Sequence, residues 1–208
     1  WRKMDFLKMT SLGVYSSFVP TDLICTAHRH SVRVVLAKYK SANWSFPPAQ
    51  IGNATARSQY VDAVLSDVTT AGADGMQFDI EGFDRDPSVD KAAHRAHLVS
   101  LVAEMRASMD KRISPSAQLS FSSSYKPTRA AIQSGYDFLA LSQQVNFFFI
   151  MEYQQCWGVD ALNELPLSVC FASGSSLTQS IRDYNSLNVS SSKLLVGFPW
   201  FAFDMPCN

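Results

Sequence analysis

The chain has 208 residues with formal net charge zero, 47% hydrophobic and 17% charged residues. Neutral charge without a long basic run excludes a nucleic-acid footprint, and no apolar run approaches the roughly 20 residues of a membrane span. The length allows one domain with a substantial core, or part of a larger one.

In chain order, short apolar strands alternate with amphipathic helices. Residues 9–15 read as a strand, and Pro20 and Thr21 mark entry into a helix over 21–29. A second strand covers 32–37. The irregular stretch 38–52 follows, with Pro47, Pro48 and three aromatics, Tyr39, Trp44 and Phe46. Val61, Val64, Leu65 and Val68 recur at helical spacing and stop near Gly72. Residues 75–81 form the third strand. Leu98, Leu101, Val102, Met105 and Met109 give the next helix face, and strands follow at 118–123 and 146–153. Leu177, Ile181 and Tyr184 form another helical stripe before the last strand, 193–200. These stripes are helix faces packed on a sheet. Alternating strand and helix implies a parallel sheet with right-handed crossovers. No phosphate-binding glycine-rich turn supports an open dinucleotide-type sheet, and acids at a strand's C-terminal end fit a closed barrel.

The third strand carries most of the functional information. It begins Asp74-Gly75-Met76-Gln77-Phe78-Asp79-Ile80-Glu81. Side chains alternate between strand faces, so Gly75, Gln77, Asp79 and Glu81 share one face and Met76, Phe78 and Ile80 the other. Two acids about 7 Å apart on a face that helices or strands cover are costly to bury. They suit general-acid chemistry on a polar substrate. Asp74 reads as a structural residue at strand entry.

This octet resembles the Asp-Gly-x-Asp-x-Asp-x-Glu strand of the family 18 glycoside hydrolases, the fourth strand of a TIM barrel. Phe149-Ile-Met-Glu-Tyr153 is similar to the family's sixth strand, and Lys193 to Phe201 to its seventh. The chitobiase-like members are the nearest match. The resemblance implies one TIM (β/α)8-barrel domain over 1–208, incomplete, with barrel strands 2–7 present and strands 1 and 8 missing. Six parallel strands cannot close an eight-stranded barrel, so a further segment or a neighbouring chain is expected to complete it.

The resemblance also implies roles. Glu81 is the proton donor to the glycosidic oxygen. The family uses the substrate's own 2-acetamido oxygen as nucleophile, so Asp79 holds the acetamide N–H and takes up developing positive charge. Two near carboxylates resist double ionisation, which keeps a proton on Glu81. Tyr153 orients the acetamido oxygen. Gln77, Gln154, Trp200 and Phe201 are expected sugar contacts. Gln77 replaces an Asp, as an amide does in the chitobiase-like members. Gln154 and Phe201 depart from the family's Asp and Tyr, and Ser122 stands where an Asp is found. Glu152 is expected to point outward and to be incidental.

The implied activity is cleavage of β-1,4-linked N-acetylglucosamine in chito-oligosaccharides or the N-glycan core chitobiose, by substrate-assisted retention. The departures leave an alternative, a catalytically inactive glycan-binding or structural assembly protein on the same fold. No cofactor or metal is implied, and His28, His30, His94 and His97 form no metal set. His94 and His97 are expected on an exposed helix face.

Three sequons, at Asn43, Asn53 and Asn188, each in a stretch that reads as loop, point to glycosylation in the secretory route, and so to a lysosomal or secreted protein. Four cysteines permit two disulfides. Cys156 and Cys207 follow the sixth and seventh barrel strands, whose loops lie at the same barrel end, so a disulfide between them is expected.

Overall fold

A computed structural model describes residues 1–16, 18–38, 46, 48–80, 90–128, 135–153 and 174–198. Strands β1 (Ser11–Tyr15), β2 (Arg33–Lys38), β3 (Gly75–Phe78), β4 (Gln118–Ser124), β5 (Phe147–Met151) and β6 (Leu194–Gly197) form one sheet. Helices α1 (Thr21–Arg29), α2 (Ala54–Ala71), α3 (Lys91–Arg112), α4 (Phe138–Ser142) and α5 (Gly174–Ser186) lie between them. Every strand pairs in parallel with the next in sequence, in the order β1 to β6. A doubly wound sheet reverses its strand order part-way. This one does not, which is the order of a TIM barrel.

The sheet is curled. Strands lie about 4.8 Å apart, so β1 and β4 would stand about 14 Å apart in a flat sheet. Yet Ser11 Oγ on β1 donates to Gln118 Oε1 on β4 at 2.7 Å. Only a sheet bent around an axis brings those side chains together. The described strands thus make an arc of a barrel with a concave, lumen-facing side.

Period-two alternation assigns the faces. Val34, Leu36, Met76, Phe78, Leu119, Phe121, Phe148 and Ile150 are buried in the layer between sheet and helices. The helices supply the other half of that layer, for example Val64, Leu65 and Val68 from α2 and Leu98, Leu101 and Met105 from α3. Ser11, Tyr15, Gln77, Gln118, Ser120 and Ser122 face the lumen and bond to one another. Local chemistry sets the helix starts. Asn53 caps α2 through the N–H groups of Thr55 and Ala56, and Asp90 caps α3 through Ala92 and Ala93. Gly72 ends α2 at φ 70°, in the left-handed region.

All six expected strands are present, but three stop early. β3 ends at Phe78 rather than 81, β5 at Met151 rather than 153, and β6 at Gly197 rather than 200. Their last ladder partners are Phe121 for Phe78, and Gly197 and Met151 for each other. A strand without a partner has no hydrogen bonds to keep it regular. Helix α4 was not anticipated, because its five residues are too few to show a period. His94 is 2% exposed, contrary to the exposed face expected for it, because α3 turns it toward the sheet layer with Leu98. Cys25 is a free, exposed thiol, so at most one disulfide remains where the count had permitted two.

Candidate functional site

The lumen is layered from the N-terminal to the C-terminal ends of the strands. The lower layer holds the Ser11–Gln118 bond. Above it, Gln77 sits at the centre of an uncharged cluster. Its Nε2 donates to Tyr15 Oη at 2.6 Å and to Ser122 Oγ at 2.8 Å, and its Oε1 accepts from Ser120 Oγ at 3.1 Å. Tyr15 Oη and Ser122 Oγ stand 3.4 Å apart. Three strands thus contribute: β1 (Tyr15), β3 (Gln77) and β4 (Ser120 and Ser122).

Two backbone features make this possible. Gly75 opens β3 in register with Gln118, and a Cβ there would lie 2.0 Å from the Gln118 carbonyl oxygen. Only glycine allows β3 and β4 to approach so closely. At the other flank the β1–β2 register slips. Val14 pairs with Leu36 but Tyr15 with Lys38. Such irregularities re-aim the side chain beside them. Tyr15 is 53% exposed, but its hydroxyl is the shielded end. Burial pushes the phenol up to about 12, with the charge of Asp79 and the nearby Tyr153 adding and the Ser122 and Gln77 hydrogen bonds opposing. Tyr15 is therefore a neutral hydroxyl at any working pH.

The top layer is the mouth. Asp79 follows the last ladder residue of β3 and is exposed. The expectation that it would be buried at a cost is corrected here, because the strand has already ended and the lumen opens beside it. Tyr153 lies two residues past β5, half-buried, its ring 6.4 Å from Phe149. Both contribute to the electrostatic field at the Tyr15 phenol, and all three residues stand at or just past the C-terminal ends of their strands. Ile80 is buried, and its carbonyl accepts a 2.7 Å hydrogen bond from Tyr136 Oη. That bond anchors the chain immediately before Glu81.

The structure sorts the expected residues. Asp79 follows β3 and Tyr153 follows β5, both on the C-terminal side of the sheet. Gln77 lies beneath them, 8% exposed, with both ends of its amide engaged by hydroxyls. Glu81, Gln154, Trp200, Phe201, Asn43, Cys156 and Cys207 lie outside the described residues. Of the sequons, Asn53 is an exposed helix cap and not a loop residue, since Thr55 already lies in α2, and Asn188 is exposed at φ 60°. Asp74 is structural. Its Oδ2 accepts from Val34 N at 2.7 Å and bonds His28 Nε2 at 2.8 Å. Glu152 does point away from the lumen but is fully buried, and its charge acts on Tyr184. Tyr184 reaches back to the end of β4, bonding Ser123 Oγ and donating to the Ser124 carbonyl. Glu152 is thus part of a buried polar cluster, where the sequence had made it incidental.

Tyr15 and Ser120 were missed by sequence reasoning. A signal for Tyr15 existed. Ser11, Gly13 and Tyr15 alternate with Leu12 and Val14, which places the tyrosine on the polar face. No group of described residues has the composition of a metal site.

A polar lumen under an acidic, tyrosine-flanked rim at the strand C-termini is where TIM barrels carry chemistry. Residues 8–206 match the sequence profile of the glycosyl hydrolases family 18. The chain belongs to that family. Among family 18 relatives, the mouse di-N-acetylchitobiase is 26% identical over 215 residues, 100% of this chain and 52% of that protein. A protein of Dictyostelium discoideum named probable di-N-acetylchitobiase 1 is 26% identical over 204 residues, 96% of this chain and 50% of its own length. The chain spans about half the length of the curated relatives it matches. Among solved structures, the chitinase domain of the spore coat protein CotE from Clostridium difficile superposes with TM-score 0.71 at 16% identity. The match covers 96% of this chain and 62% of that one. That likeness establishes the family 18 barrel fold for the arc described above.

Proposed function

We propose that this protein is a glycosidase that cleaves β-1,4-linked N-acetylglucosamine in chito-oligosaccharides or the chitobiose core of N-glycans. What supports the reading is the family 18 match together with the position of Tyr15, Asp79 and Tyr153 at or just past the C-terminal ends of β1, β3 and β5. Glu81, next along the chain from the anchored Ile80, donates the proton to the leaving oxygen. Asp79 holds the acetamide N–H and offsets charge as the acetamido oxygen attacks the anomeric carbon, which gives retention of configuration. Tyr153 aligns that oxygen. In this scheme one protein acid serves as donor and then as base, in place of the usual pair. Trp200 and Phe201 supply apolar surface to the sugar, and Gln154 a neutral hydrogen-bonding group. Exposed Asn53 and Asn188 fit a glycosylated protein of the lysosome or the secretory route, with Asn43 as a further acceptor and Cys156–Cys207 as its disulfide.

The test is turnover of chitobiose and chitotriose by the intact protein beside Glu81→Gln. Loss of turnover by several orders of magnitude in the variant is expected, and equal turnover in both refutes the assignment. One observation favours a second reading, a non-catalytic glycan binder. Ser122 stands where a carboxylate is expected and is tied into the neutral Gln77 cluster, which strips charge from the pocket floor. Binding of chitotriose without product decides for it.

A further inference from the structure

The ladder of β3 ends before the strand's acids begin. Its last pairs are Met76 with Leu36 on one side and Phe78 with Phe121 on the other. Asp79 and Ile80 lie past both. Ile80 is nonetheless buried, and a buried backbone carbonyl needs a donor. Here the donor is a side chain. Tyr136 Oη donates to the Ile80 carbonyl at 2.7 Å, the usual length of an O–H···O bond. Asp79, exposed to water, therefore sits between two fixed points, Phe78 in the ladder and Ile80 on Tyr136.

The tyrosine is itself held. Its ring stacks on Phe138 with centroids 5.6 Å apart and planes at 20°, and stands T-shaped to Phe121 at 6.0 Å and 81°. Ring centroids at this separation are in favourable contact. Phe121 is the ladder partner of Phe78, so the ring packs against the point where β3 ends. The next residue, Asp137, caps α4 by accepting from Ala140 N at 2.9 Å, and α4 buries Phe138 and Leu141 in the core. This short helix thus gives the tyrosine a rigid base. An amide of β4 in the place of the hydroxyl would continue the ladder and keep the chain in the sheet. The hydroxyl holds the carbonyl without imposing that register.

We infer that Tyr136 is a positioning residue of this site, its hydroxyl fixing the Ile80 carbonyl and so the exit of β3 that presents the Asp79 carboxylate to the sugar's acetamido group.

The inference rests on the glycosidase reading, and the experiment separates the two. Turnover of chitobiose and chitotriose is measured on the intact protein for wild type, Tyr136→Phe, Tyr184→Phe and Asp137→Ala. Tyr136→Phe keeps the ring and removes only the hydroxyl. It is expected to lower kcat by at least about tenfold, since small misplacements of a reacting group are costly, with KM within about twofold. Tyr184→Phe is the matched control, because Tyr184 is buried and its hydroxyl donates to the Ser124 carbonyl at the end of β4 at 2.7 Å. Urea titrations should show comparable losses of stability in the two variants, while Tyr184→Phe keeps kcat within about twofold of wild type. Wild-type kcat in Tyr136→Phe, or equal loss of kcat in both phenylalanine variants, overturns the inference and leaves the glycosidase reading standing. If Tyr136→Phe does not fold, Asp137→Ala decides. It frees the start of α4 beneath the tyrosine and should lower kcat by at least about threefold, and wild-type kcat there overturns the inference. A wild-type protein inert on both sugars overturns the glycosidase reading, and the inference with it.

Discussion

Replacing Gly75 with alanine tests the closeness of β3 and β4 on which the Gln77 cluster depends. The added Cβ would fall 2.0 Å from the Gln118 carbonyl oxygen and 2.8 Å from its carbonyl carbon and its nitrogen. These are backbone atoms of a strand in register with Gly75, so no rotamer change relieves the clash, and β3 must move. Overpacking costs about 1–3 kcal/mol where side chains can yield. With only backbone to push against, Gly75→Ala should reach the upper end, about 3 kcal/mol. At about 2–4 °C per kcal/mol for a chain of this size, the thermal midpoint should fall by about 6–12 °C. Gly13→Ala is the control, since its Cβ would meet nothing within 4 Å. There alanine also sheds the entropy cost of a strand glycine, about 0.5–1 kcal/mol, so the midpoint should hold or rise slightly. Circular-dichroism melts and urea titrations of both variants measure the difference. If Gly75→Ala melts with the wild type, or Gly13→Ala proves the more damaging, the packing argument is refuted.

The Arg57–Glu104 pair gives an asymmetric expectation. Arg57 bonds both carboxylate oxygens of Glu104 and the Ile51 carbonyl, with side-chain exposures of 9% for the arginine and 38% for the glutamate. Glu104→Ala leaves a buried guanidinium without its counter-charge and should cost about 2 kcal/mol, discounted for Glu104's access to water. Arg57→Met, which removes the buried charge, should cost less, and the reverse order in urea titrations refutes this. His94 predicts a pH dependence. Burial, with the charge of His97 adding, holds its pKa below the ordinary 6.5. As pH falls through that value the unfolded chain takes up a proton that the folded chain refuses, so stability should decline as pH drops below about 7. His94→Gln should flatten that slope, and parallel slopes in variant and wild type would refute it.

The strand–helix alternation and the faces of β3 were legible because both are periodic and local. Met76, Phe78 and Ile80 are buried as the alternation requires. Strand ends were not legible, since β3 stops at its last ladder pair, Phe78 with Phe121, while β4 runs on to Ser124. The burial of His94 and Glu152 was missed for a related reason. A polar side chain's burial depends on what packs over it, which the local sequence around His94 and Glu152 does not state.

The order of residues by itself determined the family, the polar face of β3 and the helical stripes, because these follow from motif spacing and from periods of 2 and 3.6. Only the tertiary structure decided that Tyr15, 62 positions before Gln77, completes the cluster beneath Asp79. That contact requires the curvature of the whole sheet, and curvature is a property of strands packed together, encoded in no single segment.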